Sequence, residues 1–184
     1  MRNPHPKERT KPMCKTERKP RIYVACLAAY NSGRLHGAWI DADQPADEIR
    51  GEVSTMLKAS PIAGAEEFGI HDYDDFAGAP LGECTDLETV SALAAFIAEH
   101  GELGGKLLSY LGDLEDAQKA MEDHYAGCHA SIAGFTQELT EETTEIPESL
   151  RFYIDYEAMA RDFEINDVFT IETAFDEVHV FWRH

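Results

Sequence analysis

The run His71-Asp72-Tyr73-Asp74-Asp75 is the densest local group of potential ligands in this 184-residue chain. Carboxylates of this kind are the hard oxygen donors that hold Ca²⁺ or Mg²⁺. The run lacks the loop glycine followed by a bidentate Glu that would complete an EF-hand. A solvated acidic turn is the competing reading, and it needs no ion. His124 and His129 flank Cys128, but without HxxxH or paired CxxC spacing they read as structural histidines. The four cysteines, Cys14, Cys26, Cys84 and Cys128, lie far apart. That spacing favours reduced, mostly buried thiols over a disulfide framework or zinc site. There is no Gly-rich phosphate loop, GxSxG elbow or HExxH. Neither a catalytic residue, nor a metal, nor a cofactor is therefore expected.

The acids carry more meaning together than singly. The chain has 35 Asp/Glu against 16 Lys/Arg, a formal net charge of −19. Residues 1–21 hold eight Lys/Arg and two acids, a net of +6, so the other 163 residues hold eight basic and 33 acidic side chains, a net of −25. Such a field favours fast encounter with cationic surfaces at some cost in self-repulsion. Direct nucleic-acid binding by the folded part is disfavoured, because it needs Lys/Arg to neutralise phosphates. Duplex DNA carries one charge per ~1.7 Å, so a net of −25 matches roughly 40 Å of duplex, about 12 base pairs. Acids kept only for solubility are the plainer alternative. No window approaches 18 apolar residues, so no membrane span is expected. No apolar leader is visible at the start, and a cytoplasmic location is the default expectation.

These residues must be placed by elements that can be read from pattern. Residues 1–20 hold four prolines and many charges, and read as a disordered basic arm. It is either an electrostatic tail or a loose extension. Ile22–Ala29 and Leu35–Asp41 read as strands of a hairpin around Asn31-Ser32-Gly33. Ile49, Val53 and Leu57 recur every four residues, so Pro45–Ala59 is predicted helical, with Pro45 in its first turn. Glu66–His71 reads as a third strand, followed by the loop DYDDFAGAP. Thr85-Asp-Leu-Glu88 fits a capping box before a helix to His100, ended by Gly101. Gly104-Gly105 follow, then a short apolar stretch to Leu111. Asp113 starts a further helix through Met121. Tyr125–His129 reads as a short strand, and Ile132–Leu139 and Tyr153–Phe163 read as helices. VFTIETA and EVHVFW alternate around Phe175-Asp176 as a terminal hairpin. The expected class is α+β, in three small units after the arm: 21–81, a helical 82–122, and 123–184. So little interior per unit favours an elongated shape.

Four segments occur in order: RIYVACLAAYNSGRLHGAWIDA, IHDYD, LGDLEDAQKAMEDHYAG and IPESLRFYIDYEAMARDFE…FTIE…VHVFW. Together they resemble the ArdA family of antirestriction proteins, over residues 21–184. The basic arm has no counterpart in that resemblance. It implies a non-enzymatic mimic of duplex DNA, an elongated homodimer of three-domain protomers carried by mobile genetic elements. Such proteins occupy the DNA groove of type I restriction–modification enzymes, formed by methyltransferase and specificity subunits. The acids expected to stand in for phosphates are Asp72, Asp74, Asp75, Glu99, Glu102, Asp113, Glu115, Asp116, Glu122, Asp123, Glu141, Glu142, Asp155, Glu157, Asp162 and Glu164. The family's C-terminal domain dimerises, which makes Tyr153, Tyr156 and Met159 the interface candidates. Their segment, Tyr153–Asp162, alternates aromatics with acids and suits either an interface or a mimic surface. Two rivals remain at this level. One is an acidic module for another basic DNA-binding protein. The other is a metal-dependent enzyme centred on His71–Asp75.

Overall fold

Strand β1 (Arg21–Cys26) is the centre of the first sheet, because its core-facing side chains are strongly apolar. Ile22, Val24 and Cys26 are fully buried. In the computed structural model, which describes residues 19–183, two compact units are seen, 19–114 and 115–183. The basic arm lies almost entirely outside the described residues.

In the first unit β1 pairs antiparallel with β2 (Gly37–Asp41) and with β3 (Phe68–Asp74), giving the order β2-β1-β3. Cys26 does not continue into more strand. Leu27–Asn31 forms a short helical turn, α1, so the predicted strand Ile22–Ala29 stops three residues early. Leu27-Ala28-Ala29 favours helix over strand. The turn closes on Gly33, whose φ of 75° a side chain rarely adopts. Helix α2 (Ala46–Lys58) starts after Pro45 and buries Ile49, Val53 and Met56, close to the predicted span. It packs against β2 and β1, and helix α3 (Leu87–Leu111) packs on it. Strand β3 continues to Asp74, so the tripeptide Asp72–Asp74 is strand rather than loop. Its side chains face water on one side, which hid the strand period from a hydrophobic reading.

Helix α3 (Leu87–Leu111) is capped by Asp86, not Thr85: the Asp86 carboxylate accepts from the Thr89 amide. Gly101, at φ 60° and ψ −139°, breaks it as the sequence suggested. Gly104 and Gly105, expected to follow the end of the helix, are helical and buried. A Cβ on Gly105 would lie 2.4 Å from the Ala77 Cβ, so glycine there permits close approach. Gly112, with φ 77°, closes α3 in the left-handed conformation.

In the second unit α4 (Leu114–Lys119) widens into a π-helical turn, Ala120–His124, instead of continuing as α-helix to Met121. That turn runs directly into β4 (Tyr125–His129). Helix α5 (Ile132–Thr143), capped by Ser131, extends one turn past its predicted end. The predicted helix from Tyr153 is instead a 3₁₀ turn, Arg151–Tyr153, and then α6 (Tyr156–Asn166). Asp155 caps α6 by accepting from the Ala158 amide at 2.9 Å. The terminal hairpin is as expected: β5 (Val168–Ala174) and β6 (Glu177–Trp182) turn at Phe175-Asp176. The sheet order is β4-β6-β5. Phe135, Val168 and Val180 form its buried centre, packed by Phe163 and Trp182. The fold is thus α+β, with two antiparallel three-stranded sheets.

Candidate functional site

The nominated acids of the first unit sit on three elements. Asp72 and Asp74 are exposed on β3, and Asp75 follows at φ 61°, half-buried. Asp74 accepts from Arg21 Nη2 at 2.8 Å. His71 is the extra residue where the β1–β3 register shifts. Such a bulge re-aims its side chain, here towards Glu83 at 3.6 Å and the Tyr30 ring. His71 therefore does not join its neighbouring carboxylates. Among the described residues no three His, Cys, Asp or Glu side chains are placed to share a metal ion. Glu99 and Glu102 flank Gly101 on α3, both exposed, and Glu102 pairs with Lys106 at 2.8 Å. Asp113 lies exposed between α3 and α4.

The second unit carries the rest. Glu115 and Asp116 occupy the first turn of α4, where the helix dipole favours negative charge. Glu122 and Asp123 project from the π-helical turn, while Ala117 and Ala120 form the buried side. Glu141 and Glu142 stand exposed in the last turn of α5, where the dipole opposes them. Glu141 accepts from Gln137 Nε2 at 3.0 Å. Asp155, Glu157, Asp162 and Glu164 are exposed on or before α6. Of the interface candidates, Tyr153 is 83% exposed, whereas Tyr156 and Met159 are half-buried. Beside Tyr153, Leu150 and Phe152 are also exposed. In the sequence these two carry only a weak signal, an apolar pair without helical spacing.

Other acids belong to the fold. Arg50 of α2 donates to Asp47 and to Glu88 of α3. The guanidinium hydrogen bond holds the Glu88 carboxyl below its usual range. Hydrogen bonds from the Thr89 amide and hydroxyl do the same for Asp86. Several of the cations are engaged within the chain. Lys19 pairs with Asp43, and Arg183 donates to the carbonyls of Val168 and Glu164. What the described surface offers a partner is mostly carboxylate, that is, acceptors and negative charge. His129, buried beside Glu138 and Phe135, fits the structural role expected of it, and His124 is half-buried. Cys26 is buried, but Cys84 and Cys128 are exposed, against the expectation of mostly buried thiols. Cys14 lies outside the described residues. No helix among the described residues is long and apolar enough to cross a membrane.

No curated protein matches the chain. A protein-family model does, over residues 22–177, and its description is antirestriction protein (ArdA).

Proposed function

The chain belongs to the ArdA antirestriction family, and from that premise we propose that it acts as a mimic of duplex DNA. Its partner is the DNA-binding groove of a type I restriction–modification enzyme, lined by methyltransferase and specificity subunits. The inhibitor works by occupancy, without catalysis, and so protects incoming mobile DNA. One observation carries this reading: after the arm, 33 acids face nine basic residues, and all the nominated acids except Asp75 are exposed. Carboxylates so displayed can take the groove contacts that phosphates would take. The same reading includes the three-part organisation and a homodimer. Exposed Leu150, Phe152 and Tyr153 support an interface near α6, since contiguous exposed apolar surface marks association sites.

Competition with a DNA duplex for a purified type I methyltransferase, across a salt series, tests the proposal. The expected result is mutually exclusive binding that weakens as salt rises. Neutralising Glu115, Asp116, Glu122 and Asp123 together to Gln/Asn should flatten the salt dependence. Fewer ions are displaced on binding when fewer charges are paired, so the loss of four carboxylates should show as a shallower slope. A ternary complex of enzyme, duplex and this protein would sink the idea. In cells, unmodified phage should plate more efficiently on a type I restricting host that expresses the chain.

A further inference from the structure

The outer face of the first sheet is not an ordinary solvated face. Across β1 and β2, Arg21 stands opposite Asp41, and Tyr23 opposite Trp39. Across β1 and β3, Arg21 stands opposite Asp74, and Tyr23 opposite Asp72. Directly opposed residues share a face. This face thus combines two aromatic rings, three carboxylates and one guanidinium, while Ile22 and Ile40 point to the core. Trp39 keeps 43% of its surface exposed, where antiparallel sheets ordinarily place polar side chains. The Tyr23 and Trp39 rings touch, with centroids 5.5 Å apart. Glycine at 37 makes room for this: a Cβ there would fall 2.7 Å from the Tyr23 hydroxyl. The chain also shows what the platform holds. The Arg21 guanidinium carbon lies 4.7 Å from the Trp39 ring centroid, and the same group donates to Asp74 at 2.8 Å.

We infer that this face reads arginine, and that its occupant is an arginine side chain on the DNA-binding surface of the restriction enzyme. The inference rests on the function proposed above and deepens it, by naming a contact that goes beyond bulk charge. Guanidinium is planar and weakly hydrated; it stacks on indole and forks onto carboxylate, which ammonium does less well. Trp, Tyr and Arg are the residue types enriched at binding hot spots. With three carboxylates to one guanidinium, the face has acceptor capacity for a second cation. Asp72 and Asp41 lie on either side of the ring pair to receive it.

The test is affinity for a purified type I methyltransferase across a salt series. Trp39→Ala should weaken binding roughly tenfold at every salt concentration. The salt slope should not change, because the ring carries no charge. Arg21→Ala should tighten binding, and by more in the wild-type background than in the Trp39→Ala background, because only in the former does a partner arginine compete with Arg21 for the ring. Thermal unfolding reports whether each variant folds. If Trp39→Ala does not fold, Trp39→Leu keeps apolar bulk, removes the ring and carries the comparison. Unchanged affinity on losing the ring, or an equal gain from Arg21→Ala in both backgrounds, overturns the inference and leaves the DNA-mimic reading standing. A wild-type chain that fails to compete with duplex removes both.

Discussion

Gly105→Ala tests how the second half of α3 is seated. A Cβ at 105 would meet the Ala77 Cβ at 2.4 Å, its carbonyl oxygen at 2.5 Å and its carbonyl carbon at 2.8 Å. Carbon–carbon contacts are comfortable near 3.5–4.0 Å, so about 1 Å must open. Two of the three atoms are backbone, in a turn where Ala77 has φ 50° and Gly78 has φ 89°. No rotamer change relieves such a clash. Overpacking costs about 1–3 kcal/mol, here about 2–3 kcal/mol because backbone must move, and replacing a helical glycine by alanine returns about 1 kcal/mol. The net expectation is a loss of about 1–2 kcal/mol, and a fall in Tm of about 2–8 °C for a chain of this length. Gly51→Ala, on α2, is the control: nothing lies within 4 Å of its Cβ position. It should gain up to about 1 kcal/mol from helix propensity alone. Thermal and urea unfolding of the two variants beside the wild type measures both. A Gly105→Ala variant as stable as the wild type, or a shift of the same sign in both, would refute the seating of α3 against the 75–79 turn.

Asp155 caps α6 and is also one of the proposed phosphate stand-ins, and two substitutions separate those roles. Asp155→Ala should cost about 1 kcal/mol of stability. Asp155→Asn should keep the cap and lose only the charge, so its effect should appear in enzyme affinity and not in Tm. Tyr125, whose hydroxyl pairs with His179 Nδ1 at 2.8 Å, has its pKa pushed up to about 12, chiefly by burial. The unfolded chain ionises this tyrosine near pH 10, so it binds fewer protons than the folded chain between about pH 10 and 12. Stability should therefore fall as pH rises through that window. Denaturation followed against pH should show the loss in the wild type and a smaller one in Tyr125→Phe.

Much of the fold was legible because its elements carry one clear period. The helix after Pro45, strand β4 and the terminal hairpin around Phe175-Asp176 stand where their spacing put them. The misreadings have local causes. Leu27-Ala28-Ala29 continues an apolar run but lacks β-branching, so it coils into α1. Asp72 and Asp74 look like a loop because the face they occupy is polar. Thr85 and Asp86 are both plausible caps, and only the backbone decides between them. Gly104 and Gly105 look like residues past a helix end until Ala77 is placed beside Gly105. The exposure of the acids follows from composition and helical phase. The pairing of Tyr23 with Trp39, 16 positions later, could not be read, because register across strands sets it. Nor could the structural engagement of Glu88, whose partner Arg50 lies on another helix.

The junction at residues 124 and 125 has a directional consequence. Because the π-helical turn passes into β4 without an intervening loop, the azimuth of Glu115, Asp116, Glu122 and Asp123 is geared to the sheet. Each residue of α-helix turns about 100°. One alanine inserted between Lys119 and Ala120 would swing Glu115 and Asp116 by roughly that angle. Net charge and acid count would stay as they are, while Ala117 would leave the buried side, so thermal unfolding accompanies the comparison. An inhibitor that tolerates the swing is sensed as a diffuse field. One that fails is sensed as an aimed array, with the helix as its pointer and β4 as the mount.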